Sequence, residues 1–159
     1  SERNSSMKVK YINPFLKAST RLFQEYLGLS ITPGKPYVRK DPNALGEVSA
    51  IIGLAGETVG AVVLSLSRET AIQAVSKFEG KTYKALGSEV IDGVGEMINI
   101  IAGNAKEYLT DFRVEISLPG VVTGDVYNIH WPEGIPVVAI PLQSDIGEIT
   151  VNVSLRDLV

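Results

Sequence analysis

The order of secondary-structure patterns is the sequence feature that most restricts the fold. Two units each begin with a helical pattern, over residues 13–27 in the first and 86–108 in the second. Strand patterns follow in both units, at 47–54 and 58–66, and then at 114–122, 136–142 and 148–155. Strands that follow a helix and are joined by short turns predict an α+β fold with a largely antiparallel sheet. The repeated order predicts a pseudo-duplicated architecture in which two long helices pack on that sheet.

Capping residues mark where the helices begin and end. Asn13 is a good N-cap, and Pro14 follows at the first helical position, where its missing N–H costs nothing. Gly28 fits a left-handed stop after this helix. Between the two units, Ser67 is placed to cap a short helix that ends at Gly80. These residues predict a long first helix and a short one after the first pair of strands.

The last strand pattern, over residues 148–155, alternates between apolar and polar side chains. Its apolar members are Ile149, Val151, Val153 and Leu155, and its polar members are Glu148, Thr150, Asn152 and Ser154. Such alternation predicts a strand with one buried face and one face in solvent. The dipeptide Gly56-Glu57 predicts a tight hairpin between the two strands of the first unit.

Composition excludes several classes of protein. The 159 residues include no Cys and one His, which excludes disulfides, thiol nucleophiles, zinc fingers and multi-histidine metal centres. The net charge is −3, without a basic stripe, so no nucleic-acid partner is expected. No apolar run approaches the roughly 20 residues of a membrane helix, so we expect no membrane partner and a cytoplasmic protein. Residues 1–6 are polar and are interpreted as a leader or disordered segment before a domain at 7–159.

The second long helix carries the pattern most relevant to function. Asp92, Glu96 and Asn99 fall within roughly 60° of one another around a helix, opposite its apolar residues. Gly95 and Gly103 flank this stripe, although each glycine costs roughly 1 kcal/mol in a helix interior. Small residues beside a polar stripe allow another backbone to approach closely. The pattern is therefore typical of a surface that binds a partner.

Two simpler interpretations of the same helix remain open. An acid and an amide three residues apart on an outer face are usually just solvated, and the glycines can accommodate a neighbouring helix of the same chain. A nucleotide site is excluded, because Gly93-Val-Gly95 lacks the strand–loop setting and the lysine of a phosphate-binding loop. An acid/base pair of Asp92 and Glu96 lacks the enclosure that separates two pKa values.

The single histidine offers little chemistry. His130-Trp131 lies in a predicted loop near Asp125, and no Gly-x-Ser-x-Gly nucleophile motif accompanies it. We interpret the pair as a loop anchor with Trp131 partly buried. Since no self-contained pocket is predicted, the sequence favours a protein that completes the active site of its partner.

The stripe Asp92-x-x-x-Glu96-x-x-Asn99, with Pro119 about twenty residues later, resembles the signature of the CheC/CheX/FliY phosphatases. The order of elements is also similar over nearly the whole chain after Met7. The first helix has no Glu-x-x-Asn, so the resemblance implies a single site, as in CheX. It further implies the CheC/CheX-like fold and a homodimer, which long apolar strands with exposed edges also favour.

What the resemblance implies chemically is hydrolysis of the aspartyl phosphate of a CheY-like response regulator. The regulator supplies the phosphoryl group, Mg²⁺ and a lysine, and this chain needs no cofactor or metal of its own. Asn99 would enter the regulator's site and orient the attacking water, because a carboxamide can both donate and accept. Glu96 would pair with the regulator's lysine. Asp92, Gly95 and Gly103 would contribute to docking.

Two other functions are compatible with the same stripe. One is a non-catalytic adaptor that binds a response regulator or a flagellar switch protein through this helix. The other is a stand-alone sensor subunit with an exposed polar helix. The presence of both Glu96 and Asn99 favours the phosphatase.

Overall fold

The computed structural model describes residues 7–124 and 128–159. The predicted leader 1–6 and Asp125 therefore lie outside the described residues. In chain order the helices are α1 (Val9–Arg21), which continues as a π-helical turn (Leu22–Tyr26), α2 (Arg68–Glu79) and α3 (Ser88–Lys106). The strands are β1 (Ile31–Pro33), β2 (Tyr37–Val38), β3 (Val48–Gly56), β4 (Thr58–Leu66), β5 (Val114–Ile116), β6 (Gly120–Thr123), β7 (Val138–Ser144) and β8 (Gly147–Asp157).

All described strand pairs are antiparallel and belong to one sheet, in the order β1-β7-β8-β4-β3-β5. β2 also pairs with β7, and β6 also pairs with β3. The hairpins β3–β4 and β7–β8 meet at the centre through β4 and β8. The short strands that follow α1 thus pair with the hairpin of the second unit, and those that follow α3 pair with the hairpin of the first. The helices and the antiparallel sheet confirm the predicted α+β class. The exchange of short strands relates the two predicted units to each other in the sheet.

The main core lies between the helices and one face of the sheet. α1 packs on α3, β7 and β8, whereas α3 packs on β3 and β6, and α2 packs beside α3. Ile52, Leu64, Met97 and Ile101 are fully buried in this layer. The α3 helix therefore has a fixed rotational position, with one side against the sheet and the other toward solvent.

The predicted start of the first helix at Asn13 is wrong, because α1 begins at Val9 and Pro14 lies inside it. Pro14 lacks the amide that would bond to the preceding turn, which locally favours a start at that residue. Tertiary contacts outweigh this preference. The buried ring of Tyr11 packs edge-to-face on Phe112, with centroids 5.3 Å apart. Its hydroxyl donates to Asp157 Oδ2 at 2.6 Å, and burial together with this bond raises the pKa of Tyr11.

The other predicted turn and capping residues are confirmed. The Ser67 hydroxyl accepts from the Thr70 amide at 3.1 Å at the start of α2. Gly28, Gly56 and Gly80 have positive φ angles, as left-handed stops and turns require. The predicted helix over 86–108 is observed slightly shorter, as Ser88–Lys106.

The prediction that β8 exposes its polar face to solvent is wrong. Thr150, Asn152 and Ser154 are buried, because the loop between β2 and β3, which contains Arg39, and the loop before β7, which contains Ile135, cover this second face of the sheet. The Arg39 Nε donates to Asn152 Oδ1 at 2.6 Å, and Asn152 Nδ2 donates to the Val63 carbonyl at 3.1 Å. Hydrogen bonds such as these make burial of polar side chains acceptable.

The interpretation of His130-Trp131 as a loop anchor is confirmed for Trp131. Trp131 is half-buried, and its indole N–H donates to the Pro42 carbonyl at 3.2 Å. The Ile129 amide donates to Asn43 Oδ1 at 2.9 Å, which joins the same two loops a second time. His130 itself is exposed.

Candidate functional site

The polar stripe of α3 faces solvent as its spacing predicts. Asp92 and Glu96 are exposed and Asn99 is half-buried, whereas Val94 and Met97 are fully buried on the opposite side. Within the described residues, the side chains of Glu96 and Asn99 form no hydrogen bond or ion pair. Both groups are therefore available to another molecule, and the helix that carries them is held rigidly by its core face.

Beside the stripe lies a cleft of about 380 Å³, which we call the α3 cleft. One wall is formed by α3 and the other by the segment between β5 and β6. Its lining residues are Ile91, Asp92, Gly95, Glu96, Asn99, Leu118, Pro119 and Val121. The structure thus brings together the predicted residues Asp92, Gly95, Glu96 and Asn99 with the proline that the sequence motif includes.

A β-bulge places the second wall. The sequence predicts one strand over 114–122, and this is wrong, since β5 and β6 are separate strands that both pair with β3. Ile116 pairs with Leu54 and Gly120 pairs with Ile51, so residues 117–119 stand opposite only two residues of β3. An extra residue of this kind bends a strand and re-aims its side chains. Pro119 contributes because it has no amide to donate to the ladder.

The bulge turns Pro119 toward α3. A Cβ built on Gly95 would lie 3.4 Å from Val121 Cγ2 and 3.8 Å from Pro119 Cγ. Gly95 therefore lies at the floor of the α3 cleft, where the two walls are closest. A Cβ on Gly103, one turn beyond Asn99, would have no side chain and no other structural element within 4 Å, so this position faces open space.

Sequence reasoning missed three residues of the α3 cleft, Ile91, Leu118 and Val121. Ile91 is apolar like the core residues of α3, but it is only half-buried and lines the cleft. Leu118 and Val121 were assigned to a continuous strand. The signal that could have found them is Pro119, because a proline inside a predicted inner strand indicates a bulge.

A larger cleft, of about 480 Å³, lies at the edge of β2 and α2, away from the stripe. The charged groups around it are already used within the chain. Arg39 donates to Asn152 and to the Ala44 carbonyl, and Glu47 accepts from the Arg68 amide. We therefore assign these groups to the structure of the second sheet face rather than to a site.

Two further searches of the described chain bear on the site. Across residues 7–124 and 128–159, no three His, Asp or Glu side chains are grouped so as to hold a metal ion. No helix in the same residues is both long enough and apolar enough to cross a membrane.

Comparison with known proteins gives one consistent family. The model of the family described as chemotaxis phosphatase CheX matches residues 48–143. The CheY-P phosphatase CheX of Thermotoga maritima is 27% identical over 121 residues, which are 74% of this chain and 78% of that protein.

Solved structures agree with this assignment. The crystal structure of a chemotaxis protein CheX from Desulfovibrio desulfuricans has a TM-score of 0.84 and 31% identity, and the match covers 93% of this chain and 100% of that one. The CheX–CheY–BeF₃–Mg²⁺ complex from Borrelia burgdorferi matches with a TM-score of 0.78 and 29% identity, over 94% of this chain and 100% of that one.

These matches confirm the resemblance that the α3 motif indicates. The region matched by the family model includes every residue of the α3 cleft and both central hairpin strands of the first unit. Since this region is more than half of the sequence, the chain belongs to the CheX family of chemotaxis phosphatases.

Proposed function

We propose that this chain is a cytoplasmic phosphatase that hydrolyses the aspartyl phosphate of a CheY-like response regulator. The observation that carries the proposal is the presentation of Glu96 and Asn99. They are one turn apart on a rigid helix, beside an open cleft, with no partner among the described residues. The Borrelia burgdorferi complex supports this partner class, since it contains CheX together with CheY, BeF₃ and Mg²⁺.

Asn99 performs the chemical role in this proposal. Water attacks the phosphorus atom, the bond between phosphorus and the aspartate oxygen breaks, and the products are inorganic phosphate and the free carboxylate. Phosphoryl transfer depends mainly on positioning and on charge stabilisation. The Asn99 carboxamide accepts one hydrogen of the water and places its oxygen in line with the leaving carboxylate, without adding charge near the phosphoryl group. The Mg²⁺ belongs to the regulator.

Glu96 fixes the orientation of the partner by pairing with a lysine of the regulator. Its carboxylate is exposed and has no competing cation in the described chain. Asp92 lies one turn earlier on the same face and contributes to docking. Gly95 and Gly103 leave room for the partner backbone, because neither presents a side chain beside the two functional groups.

The test compares alanine variants at the two functional positions. Asn99→Ala is expected to lower kcat about 100-fold or more while changing affinity little, because the amide acts in the transition state. Glu96→Ala is expected to raise KM about 10-fold, because it removes a charge that positions the partner. The measurement is phosphate release from phosphorylated receiver domains, with affinity followed separately on a beryllofluoride-treated receiver domain.

Matched controls lie at the C-terminal end of the same helix, at Asn104 and at the C-cap residue Glu107. Asn104→Ala and Glu107→Ala remove the same side-chain types near the end of α3, outside the α3 cleft, and should leave kcat and KM unchanged. If Asn99→Ala is folded and hydrolyses the phosphorylated domain at the wild-type rate, Asn99 does not orient water. If the wild-type chain binds a receiver domain without accelerating phosphate release, the adaptor function replaces the phosphatase.

We also propose a homodimer formed through an exposed edge of the sheet. β2 lies at an edge, with Tyr37 47% and Val38 60% exposed, and no strand of the described residues covers its outer side. Unpaired strand edges of this kind favour pairing with a second chain.

A further inference from the structure

Leu118 is the most exposed of the large apolar residues in the described chain, at 90%. It lies in the bulge between β5 and β6 and lines the α3 cleft with Glu96 and Asn99. Its neighbours Pro119 and Val121 are half-buried against Gly95. The bulge therefore anchors two apolar side chains in the cleft wall and leaves Leu118 projecting into solvent.

The exposure of Leu118 is built into the backbone. The Ser117 amide donates to the Gly53 carbonyl at 3.0 Å, and the Gly53 amide donates back to the Ser117 hydroxyl at 2.9 Å. The same hydroxyl donates to the Leu118 carbonyl at 2.9 Å. On the other side of the bulge, Gly120 pairs with Ile51. Because the segment is ordered before binding, little conformational entropy is lost when Leu118 is covered.

A partner that reaches the functional side chains also has to cover Leu118. Glu96, Asn99 and Leu118 line one cleft of about 380 Å³, so a protein surface that contacts the first two encloses the third. Exposed charges such as Glu96 contribute mainly to orientation and association rate. Most of the binding energy of an interface comes from a few well-packed side chains, and the cleft offers one projecting apolar candidate.

We propose that Leu118 is the apolar docking residue for the phosphorylated receiver domain. Its side chain enters an apolar depression on the receiver surface beside the phosphorylated aspartate, while Glu96 and Asn99 enter the receiver's active site. Ser117 is a positioning residue that holds Leu118 in place. This inference rests on the proposed function and adds the contact that supplies affinity.

The test separates affinity from catalysis. Leu118→Ala should raise KM, and the Kd for a receiver domain treated with beryllofluoride and Mg²⁺, at least 10-fold, with kcat within twofold of wild type. Leu118→Asp should weaken binding further. Leu158→Ala is the matched control, because Leu158 is also exposed and lies outside the α3 cleft. It should bind and react like the wild type.

A second pair of variants tests the positioning role. Ser117→Ala should raise Kd several-fold while thermal unfolding still shows a folded protein, and Ser117→Thr, which keeps the hydroxyl, should restore affinity. Suppose that the wild-type protein hydrolyses the phosphorylated domain and that Leu118→Ala has the same KM and Kd as the wild type. This result would overturn the role of Leu118 and leave the proposed function standing. If the wild type neither binds nor hydrolyses any phosphorylated receiver domain, both are overturned.

Discussion

Three glycines on α3 have different surroundings and therefore different roles. A Cβ on Gly93 would lie 2.5 Å from Val75 Cγ1 of α2, so this glycine allows the two helices to pack. A Cβ on Gly95 would make only ordinary contacts, with Val121 and Pro119, and one on Gly103 would meet nothing. The interpretation that the glycines accommodate a helix of the same chain is thus correct for Gly93 and wrong for the other two.

Alanine substitutions at Gly93 and Gly95 are expected to have opposite effects on stability. Gly93→Ala should lower the free energy of unfolding by about 1–3 kcal/mol, because Val75 is fully buried and cannot move aside. Gly95→Ala should raise it by up to about 1 kcal/mol through helix propensity. Urea unfolding measures both.

If Gly95 serves partner approach, the stabilised Gly95→Ala variant should show a raised KM for the phosphorylated receiver domain. Gly103→Ala provides the comparison at an open position. A Gly95→Ala protein with wild-type KM would show that the room at this position is not used in docking.

At the scale of elements, α1 and α3 are counterparts that differ in chemistry. Asn13, Lys17 and Thr20 have the same spacing on α1 as Asp92, Glu96 and Asn99 on α3. Leu16 stands where α3 has Gly95, and the groove beside it is lined only by residues of α1 and its π-helical turn. At the positions that match Glu96 and Asn99, the first unit thus has neither an acid nor an amide. Among the described residues it also has no second wall opposite α1.

Placing a glutamate and an asparagine at the matching positions of α1 is therefore not expected to create a second active site. In an Asn99→Ala background, Lys17→Glu combined with Thr20→Asn should not restore hydrolysis, because Leu16 blocks close approach and no described residue outside α1 and its π-helical turn lines the groove as Leu118 lines the α3 cleft. Phosphate release from a phosphorylated receiver domain measures the outcome. Recovery of more than a few per cent of the wild-type rate would show that the motif is sufficient without the cleft.

The elements also show how far sequence reasoning extends. Local chemistry predicts the capping by Ser67 and Gly80 and the hairpin turn at Gly56. The helical period predicts that Glu96 and Asn99 lie on the same side of α3. The bulge at 117–119 was not predictable, since it arises from how two short strands share β3.

Contacts between distant parts of the chain account for two other differences between the predicted and the observed structure. The polar side chains of β8 alternate as in a solvent-exposed strand, but loops from elsewhere in the chain cover them and Arg39 hydrogen-bonds to Asn152. The early start of α1 depends on the distant partners Phe112 and Asp157 of Tyr11. Neither arrangement leaves a signal within a short sequence window.

At the scale of the whole molecule, the exposed sheet edge at β2 predicts that two chains form a dimer. We expect light scattering at micromolar concentration to give the mass of a dimer. Val38→Lys should shift the mass to that of a monomer, because a charged side chain on an edge strand opposes pairing with another chain. Thr110→Lys, an exposed change after α3 and outside the sheet, is the control. A monomeric wild type would exclude the dimer.

The exchange of short strands between the two units has a consequence for how the chain reaches its fold. The hairpin β3–β4 precedes all of its neighbours in the sheet, since β5 and β6 on one edge and β8 on the other come later in the sequence. The register of Thr58 with Asp157 forms only when the last strand is available. Pairings so distant in sequence slow folding. In a nascent chain the outer edge of β3 therefore stays unpaired until β5 and β6 are available, and that of β4 until β8 is available, which makes the growing chain a natural client for chaperones.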